Sequence, residues 1–335
     1  MSRPHVSVLM PVRNEATFLP QALDSLFRQT LADWELVAVD DSSSDATPSL
    51  LAEAARRDRR VCVMQNPGKG LVPALNHALA NCRAPLVARM DGDDISHPRR
   101  LERQVAALGG DSSLGVVGCR FRHFPRTRVG LGMHAYERWQ NALLTHESIM
   151  RDRFVESPFV HPSVMARREA LEAVGGYRET AWAEDYDLWL RLADAGVRFA
   201  RIPEVLFFWR ERPERATRTL AEYSAAAFRD CKVHHLRSGF LRGVTEVTLV
   251  GAGLEGRAWC RALAVAGVQV SRWVDVDPRK VGRILHGAPV VPPDAVRPGE
   301  ERLLLTIGTR GARQGVRDWA RGAGLQEGNH FVCVT

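Results

Sequence analysis

The first 94 residues alternate between strand-like and helix-like patterns, and this alternation constrains the fold more than any other feature. Short apolar runs typical of buried strands occur at His5–Met10, Trp34–Asp40, Val61–Gln65 and Pro85–Met90. Between them lie segments with helical spacing of apolar residues. A repeated strand–helix order predicts an α/β fold with a parallel sheet and right-handed crossovers. Such sheets bind ligands beyond the carboxyl ends of their strands.

Length and composition describe an ordinary globular chain. Its 335 residues, 45% hydrophobic and 25% charged, suit about two domains with a sizeable core. Its apolar runs are far shorter than the roughly 20 residues of a membrane span. The six cysteines are scattered and form no Cys-x-x-Cys pair, which disfavours both a structural zinc site and a disulfide framework.

Basic residues exceed acidic ones, 46 against 39, which gives a formal net charge of +7. The excess is spread along the chain and forms no stripe of the kind that nucleic-acid-binding proteins carry. We therefore expect no nucleic-acid partner and at most peripheral contact with a membrane of anionic lipid. The residues before the first strand-like segment lack the apolar stretch and cleavage site that a signal peptide would show, so we expect none. We expect a cytoplasmic protein, with the inner face of the membrane as the alternative.

The middle of the chain is less regular, and the α/β pattern restarts near residue 243. Residues 197–210 predict two short strands around Pro203, and residues 216–237 predict one long helix. A new strand, a glycine-rich turn and a helix then follow. We therefore predict two domains, residues 1–240 and residues 241–335.

Two acidic segments are the strongest candidates for chemistry. Asp91-Gly92-Asp93-Asp94 follows the fourth predicted strand, and Glu184-Asp185-Tyr186-Asp187 begins a predicted helix. Crowded carboxylates repel one another unless a cation or solvent relieves them. Mg²⁺ and Mn²⁺ accept a few carboxylates and complete their coordination with phosphate oxygens and water. A metal that bridges to a nucleotide diphosphate is one reading of the first segment, and a solvated acidic turn is the other.

Six motifs in order resemble those of glycosyltransferase family 2, the inverting enzymes with the GT-A fold. The resemblance covers about residues 4–215. The matching segments are Val8-Leu9-Met10-Pro11-Val12-Arg13-Asn14-Glu15, Val39-Asp40-Asp41-Ser42-Ser43-Ser44-Asp45, Lys69-Gly70 with Ala74-Leu75-Asn76, Asp91-Gly92-Asp93-Asp94, Gly175-Gly176-Tyr177 and Glu184-Asp185-Tyr186-Asp187-Leu188-Trp189. The resemblance implies a GT-A nucleotide-diphospho-sugar transferase domain followed by a linking helix.

The resemblance also implies which residues bind the donor sugar nucleotide. The opening loop would cup the nucleotide, and Asp40 or Asp41 would bond the base, with a helix cap as the rival role for Asp41. The nucleotide-sugar-binding residues implied in this way are Pro11, Arg13, Asn14, Glu15, Asp40, Asp41, Lys69, Asn76, Asp91, Glu184 and Arg210. The tail after Arg210 lacks the histidine that family members usually carry there, so the resemblance assigns no role to that tail.

The metal and the catalytic base follow from the same resemblance. Asp93, Asp91 and His161 would lie at a Mn²⁺ or Mg²⁺ ion, which stabilises a departing diphosphate. Asp185 would be the base that takes the proton of the acceptor hydroxyl. Adjacent helical residues point about 100° apart, so Glu184 and Asp185 cannot both face the site.

A second nucleotide-like motif lies near the carboxyl terminus. Gly251, Gly253 and Gly256 stand between a predicted strand and helix, and Asp275 closes the next strand. Such glycines let the backbone approach a pyrophosphate, while the acid holds a ribose. The segment resembles the nucleotide-binding-type domain of bacterial sugar acetyltransferases. A degenerate structural unit and a second nucleotide site are equally open.

These patterns lead to one main hypothesis and one alternative. The main hypothesis is a metal-dependent inverting hexosyltransferase-type enzyme that moves a sugar from a nucleoside diphosphate, with UDP favoured, to a saccharide or lipid-linked acceptor in polysaccharide or glycoconjugate synthesis. The alternative is a dinucleotide-dependent sugar oxidoreductase that uses the C-terminal unit.

Overall fold

A computed structural model describes residues 3–213, 215–297, 299, 302–309 and 311–335 of the chain. The chain forms two compact units. The first comprises residues up to 149, 158–180 and 184–219, and the second comprises residues 150–157, 181–183 and 220–335. The domain boundary at residue 240 stays a prediction. Within the described residues, no helix has the length and apolar character that crossing a membrane requires.

The first unit is built on one eight-stranded sheet. Its strands are β1 Val6–Val12, β2 Trp34–Asp40, β3 Val61–Gln65, β4 Leu86–Arg89, β5 Ile95–Ser96, β6 Leu114–Phe124, β7 Met165–Arg167 and β8 Arg198–Arg210. They are arranged in the order β3-β2-β1-β4-β7-β6-β8-β5. Strands β1 to β4 pair in parallel, whereas β7 is antiparallel to β4 and β6. The predicted α/β fold with a parallel sheet is confirmed.

Helices lie between these strands in the chain. They form amphipathic helices because apolar residues recur at helical spacing and give each helix a face that can be buried. Up to residue 219 they are α1 Leu19–Phe27, α2 Thr47–Arg57, α3 Leu71–Asn81, α4 Arg100–Gly110, α5 Leu131–Ala142, α6 His146–Asp152, α7 Arg168–Ala173, α8 Glu184–Asp194 and α9 Ala216–Thr219. In α1 the buried residues include Leu19, Ala22, Leu23 and Leu26, one face of a 3.6-residue period. All seven residues of β1 are buried, as expected of a strand covered on both faces.

Two local predictions were wrong. Residues 198–210 form one strand, and its pairing with β6 shifts from Cys119–Ile202 to Arg120–Val205. Pro203, which lacks an N–H group, is thereby accommodated in a bulge. The predicted helix over 216–237 is divided into α9 and α10 (Ala225–Ser238). A new helix starts at α10 because Ser224 caps it, its Oγ accepting the Ala227 N–H at 3.2 Å.

The strand order places a binding edge between β1 and β4. From β1 the chain moves outward to β2 and β3, then returns to the other side of β1 to form β4. The connections therefore leave β1 and β4 in opposite directions, which opens a crevice at their carboxyl ends. Residues 13–15 follow β1 there, and residues 90–94 follow β4.

The second unit contains a six-stranded sheet in the order β11-β12-β10-β9-β13-β14. Its strands are β9 Glu246–Val250, β10 Gln269–Val274, β11 Ile284–Leu285, β12 Ala288–Val291, β13 Arg302–Leu305 and β14 Phe331–Cys333. Helices α11 Leu254–Val265 and α12 Ala312–Gly322 complete its α/β pattern. Strands β12, β10, β9, β13 and β14 run in parallel.

Candidate active site

The loop that follows β1 is tied to the loop that follows β2. The backbone N–H of Asn14 donates to Ser43 Oγ at 2.9 Å, and Asn14 Oδ1 accepts the N–H of Ser44 at 2.8 Å. The N–H of Glu15 donates to Thr47 Oγ1 at 2.8 Å. Asn14 adopts a positive φ of 54°, a conformation that asparagine tolerates better than most residues. The two loops therefore form one rigid wall of the crevice.

Asp40 and Asp41, at the end of β2, have different partners. Asp41 is buried, and its Oδ1 accepts from Asn66 Nδ2 at 2.6 Å and from the Gly70 N–H at 3.0 Å. It therefore anchors the turn that carries the exposed Lys69. Asp40 accepts the Ser43 N–H through Oδ2, at 3.3 Å. Its Oδ1 is buried and has no hydrogen-bond partner among the described residues.

Pro11 and Arg13 flank the same wall. Pro11 is a buried residue within β1, opposite Val39 of β2. The side chain of Arg13 is half exposed, and its Nη1 lies 3.7 Å from Asp41 Oδ2. A guanidinium at that distance and exposure can turn toward an anionic ligand without leaving a buried carboxylate unpaired.

The loop after β4 gathers three carboxylates. Asp91, Asp93 and Asp94 each offer an oxygen within 4.8 Å of the others. Asp94 Oδ1 accepts the backbone N–H of Arg210 at 2.7 Å, whereas Asp94 Oδ2 is buried without a partner in the described chain. Asp91 Oδ1 accepts from Nη1 of the buried Arg89 at 2.6 Å.

Gly92 lets this loop approach the loop after β1. A Cβ atom at position 92 would lie 2.9 Å from Val12 Cγ1 and 3.3 Å from Glu15 Cγ, so a side chain would force the loops apart. The close approach places the Glu15 carboxylate beside Asp93. Burial and the Asp93 carboxylate raise the pKa of Glu15 to about 7, although the Arg212 guanidinium opposes that shift.

Strand pairing places two arginines, Arg210 and Arg212, beside the carboxylates of the loop after β4. Strand β5 follows the acidic loop directly and pairs with β8 through Ile95 and Phe208, so the end of β8 arrives beside Asp93 and Asp94. Arg210 Nε donates to the Asp93 carbonyl oxygen at 2.6 Å, and its guanidinium lies over the rings of Phe18 and Phe124. Arg212 Nε lies 2.9 Å from Asp93 Oδ2, and its Nη2 pairs with Glu15 Oε1.

The donor set fits a hard divalent cation. Burial, followed by the Asp91 carboxylate, raises the pKa of Asp93, and burial with both neighbouring carboxylates raises that of Asp94 well above its usual range. Both shifts arise first from burial and second from repulsion between neighbouring carboxylates, and a bound cation would oppose both. The partnerless oxygen of Asp94 and the all-oxygen ligands are what Mg²⁺ or Mn²⁺ accepts.

A second acidic group begins helix α8. Asp185 Oδ1 accepts the N–H of Tyr186 at 2.7 Å, as acids do at helix starts. Asp185 keeps partial solvent exposure, whereas Glu184 is buried. Burial and the Glu184 carboxylate raise the pKa of Asp185 well above its usual range, and the nearby Arg89 opposes that shift. Asp185 therefore has the higher proton affinity that a general base needs.

His161 lies against Glu184 and outside the three-carboxylate group. Its Nδ1 is 3.6 Å from Glu184 Oε1, and its Nε2 is 2.9 Å from the Tyr177 hydroxyl. Burial and the charge of Arg89 lower the pKa of this imidazole. Both ring nitrogens therefore face protein groups.

Asn76 shares its amide with the backbone of Tyr177. Its Nδ2 donates to the Tyr177 carbonyl at 2.8 Å, and its Oδ1 accepts the Tyr177 N–H at 2.9 Å. Gly176, with a φ of 66°, turns the chain against Asn76, and an added Cβ would lie 2.7 Å from Asn76 Oδ1. Asn76 thus fixes the segment that carries Tyr177 to His161.

The sequence analysis does not identify two residues of the site, Arg89 and Arg212. Arg89 is a buried cation in contact with Asp91, and the signal for it was a charge at the end of an otherwise apolar strand. Arg212 pairs with Glu15, 197 positions away, and nothing local in the sequence distinguishes it from the arginines around it. The predicted residues that the structure brings together at the crevice are Arg13, Asn14, Glu15, Asp40, Asp41, Asp91, Asp93 and Arg210.

Both sequence and fold resemble known sugar-transferring proteins. The family model described as Glycosyl transferase family 2 matches residues 7–175 of this chain. The chain is 34% identical over 232 residues to EpsE of Bacillus subtilis (strain 168), which is named as a glycosyltransferase. That match covers 67% of this chain and 79% of EpsE.

Two solved structures are similar in fold. S. aureus TarS 1-349 in complex with UDP-GlcNAc superposes with a TM-score of 0.56 at 17% identity, over 78% of this chain and 80% of that one. Mannosyltransferase PcManGT from Pyrobaculum calidifontis, in complex with GDP-Man and Mn²⁺, gives 0.51 at 22% identity, over 79% and 76%. These likenesses confirm the predicted GT-A fold.

Proposed function

The chain belongs to glycosyl transferase family 2, and we propose that it moves a sugar from a nucleoside diphosphate sugar, with UDP as the nucleotide, to the hydroxyl group of a saccharide or lipid-linked acceptor. One observation carries the proposal. Asp91, which leads the acidic loop, and the base candidate Asp185 both interact electrostatically with the same buried cation, Arg89. One end of the sheet thus offers both a diphosphate-holding group and a proton acceptor.

We assign recognition of the base to Asp40. Its Oδ1 is buried and lacks a partner among the described residues, so an N–H of a uracil ring would remove a costly unsatisfied acceptor. Asp41 is already engaged by Asn66 and Gly70 and so positions the Lys69 turn. Arg13 and Lys69 are exposed enough to approach the phosphates. A complex between TarS and UDP-GlcNAc exists for the same fold, which supports a uridine donor here.

We assign the metal site to Asp91 and Asp93, with Asp94 behind them. A Mn²⁺ or Mg²⁺ ion held there would neutralise negative charge on the departing diphosphate. The mannosyltransferase with the same fold is described with Mn²⁺. His161 has protein groups at both nitrogens, so we assign it to orienting Glu184 rather than to the ion. Arg210, through Asp93 and Asp94, positions the metal loop.

We propose an inverting displacement with Asp185 as the base. The acceptor oxygen forms a bond to the anomeric carbon while the bond from that carbon to the diphosphate oxygen breaks. The acceptor hydroxyl proton passes to the Asp185 carboxylate, whose raised pKa suits that role. Glu184 is buried beside His161 and would hold the sugar side of the pocket. We place the reaction in polysaccharide or glycoconjugate synthesis, with at most peripheral membrane contact.

For the second unit we propose a degenerate, structural Rossmann-like unit rather than an oxidoreductase site. Gly256 packs so closely on the Gly251 carbonyl and Thr306 that it admits no side chain, which fits a Rossmann-type turn. Asp275, however, already accepts the N–H groups of Ala252 and Asp277, at 2.8 and 2.9 Å, and pairs with Lys280 at 2.9 Å. A ribose would have to displace these contacts.

Heat stabilisation by a panel of nucleotide sugars tests the proposal, because a ligand of the native state raises its stability by mass action. We expect UDP-sugars with Mn²⁺ to raise Tm more than NAD(H) or GDP-sugars do. Stabilisation by NAD(H) alone, with sugar oxidation that Asp93→Ala leaves intact, would favour the oxidoreductase alternative.

A further inference from the structure

The acidic site already contains a cation that belongs to the chain. The guanidinium of Arg212 bridges two carboxylates, with Nη2 on Glu15 Oε1 and Nε at 2.9 Å from Asp93 Oδ2. Its side chain is only 21% exposed, and the two carboxylates are 13% and 12% exposed. The bridge is therefore largely shielded from solvent. Charge-assisted contacts are stronger in such a shielded environment than in water.

The second oxygen of Glu15 shows that this compensation is incomplete. Glu15 Oε2 is buried and has no hydrogen-bond partner among the described residues, as is also true of Asp94 Oδ2. Arg212 thus pairs with two of the four carboxylates of Glu15, Asp91, Asp93 and Asp94, while Arg89 pairs with Asp91 from behind and Arg210 and Arg215 add positive charge nearby. The buried oxygens of Glu15 and Asp94 remain open to a further cation, but Oδ2 of Asp93 is occupied by Arg212.

We propose that Arg212 is the resident cation of the acidic site and competes with the divalent ion for Asp93, so that metal binding favours its release. The inference rests on the metal site assigned above and adds to it a regulation of that site. A divalent ion ligated by Asp93 would lie close to this guanidinium, and the repulsion between the two cations disfavours their binding the same carboxylate together. The free energy needed to separate Arg212 from Asp93 therefore makes the observed free energy of metal binding less favourable than the intrinsic one.

The segment that carries Arg212 is built to allow this exchange. Arg210, two residues earlier, is fixed by Gln21 and by the Asp93 carbonyl, which leaves the backbone anchored when the Arg212 side chain moves. The Arg212 side chain is itself 21% exposed, so its guanidinium can turn toward solvent. Release therefore needs a side-chain rotation and no change of strand pairing.

The test measures Mn²⁺ affinity by calorimetry on the full chain, without substrate. Arg212→Gln should bind Mn²⁺ at least tenfold more tightly than the wild type, and its Tm in EDTA should be lower, since Glu15 and Asp93 lose their counter-ion. Arg212→Lys keeps the charge but not the two-carboxylate fork, and its affinity should lie between the two. The control Arg218→Gln removes an equal charge from a residue paired with Glu211, and its Mn²⁺ affinity should match the wild type within about twofold.

Several outcomes would overturn the inference. Equal or weaker Mn²⁺ binding in Arg212→Gln would mean that no competition exists. A gain of the same size in Arg218→Gln, or wild-type affinity in Arg212→Lys, would reduce the effect to net charge. Absence of Mn²⁺ binding in every variant would also refute the inference. The transferase proposal would then be tested separately, by measuring whether a UDP-sugar binds in EDTA.

Discussion

Arg89 donates a hydrogen bond from Nη1 to Oδ1 of Asp91 at 2.6 Å, across two residues at the end of β4. Asp91 leads the acidic loop, while Arg89 is buried and also influences the charge of Asp185, Glu184 and His161. The two acidic groups of the crevice are thus coupled through one cation behind the sheet edge. A change in the charge of one acidic group should therefore shift the pKa values of the other.

Replacing the base candidate should separate chemistry from binding. Asp185→Asn keeps the shape of the side chain but cannot accept a proton near neutral pH. General-base catalysis contributes about 10²–10⁴-fold, so kcat should fall by at least about 10²-fold. Donor affinity, measured by calorimetry with a UDP-sugar, should change by less than about threefold.

The control for that experiment is Asp194→Asn, an exposed acid at the other end of α8. It should keep wild-type kcat. If Asp185→Asn also turns over at the wild-type rate, the base lies elsewhere, with Glu184 as the next residue to replace.

The pH dependence of turnover follows from the raised pKa of Asp185. A base works only when it is deprotonated, so kcat/KM should fall as the pH drops through that raised pKa. The acid limb should therefore lie above the ordinary aspartate range near pH 4. Steady-state rates from pH 5 to pH 9 check this, and a flat profile down to pH 5 would show that burial does not retain the proton on Asp185.

The acidic residues of the site could be predicted from sequence, whereas their counter-ions could not. Asp40, Asp91 and Asp93 follow apolar strands, and parallel topology brings strand ends together. Arg212 reaches Glu15 only because β5 pairs with β8, a contact between distant segments that periodicity does not encode. For the same reason the sequence does not distinguish Asp40 from Asp41, whereas in the structure the Gly70 turn engages Asp41.

Metal dependence should disappear with Asp93. Asp93→Ala removes a carboxylate oxygen from the group of three, so Mn²⁺ should no longer strengthen UDP binding, and turnover should be lost. Calorimetry of UDP with Mn²⁺ and with EDTA measures the difference. Asp111→Ala, an exposed acid far along the chain from this group, is the matched control and should retain the Mn²⁺ effect. Full turnover of Asp93→Ala in EDTA would remove the metal from the mechanism.

Asn76 should affect stability more than donor binding. Asn76→Ala leaves the N–H and carbonyl of Tyr177 without the partners they have now, and unsatisfied buried groups cost about 1–3 kcal/mol each. We expect urea denaturation to show a loss of about 2–3 kcal/mol in the free energy of unfolding. UDP affinity should change by less than about threefold. A tenfold weaker UDP affinity with unchanged stability would instead place Asn76 at the donor.

His123 gives the first unit a specific sensitivity to acid. The residue is fully buried, its ring stacks on Trp209 with centroids 4.9 Å apart, and its Nδ1 lies 3.0 Å from Glu137 Oε2. Burial outweighs Glu137 and lowers the pKa of His123 to about 4. Between its ordinary value near 6.5 and about 4, the unfolded chain therefore binds a proton that the folded chain does not.

The free energy of unfolding should consequently contain a component that falls as the pH is lowered from about 6.5 to about 4, by up to ~3 kcal/mol. Glu15 acts in the opposite direction, since its raised pKa of about 7 lets the folded chain take up a proton first, so total stability alone does not isolate His123. The difference between wild type and His123→Phe does, because Glu15 is common to both. Urea denaturation from pH 7 to pH 4 should show the two stability curves converging, or His123→Phe overtaking, as the pH falls. Parallel curves would mean that burial does not lower the pKa of His123 in the folded protein.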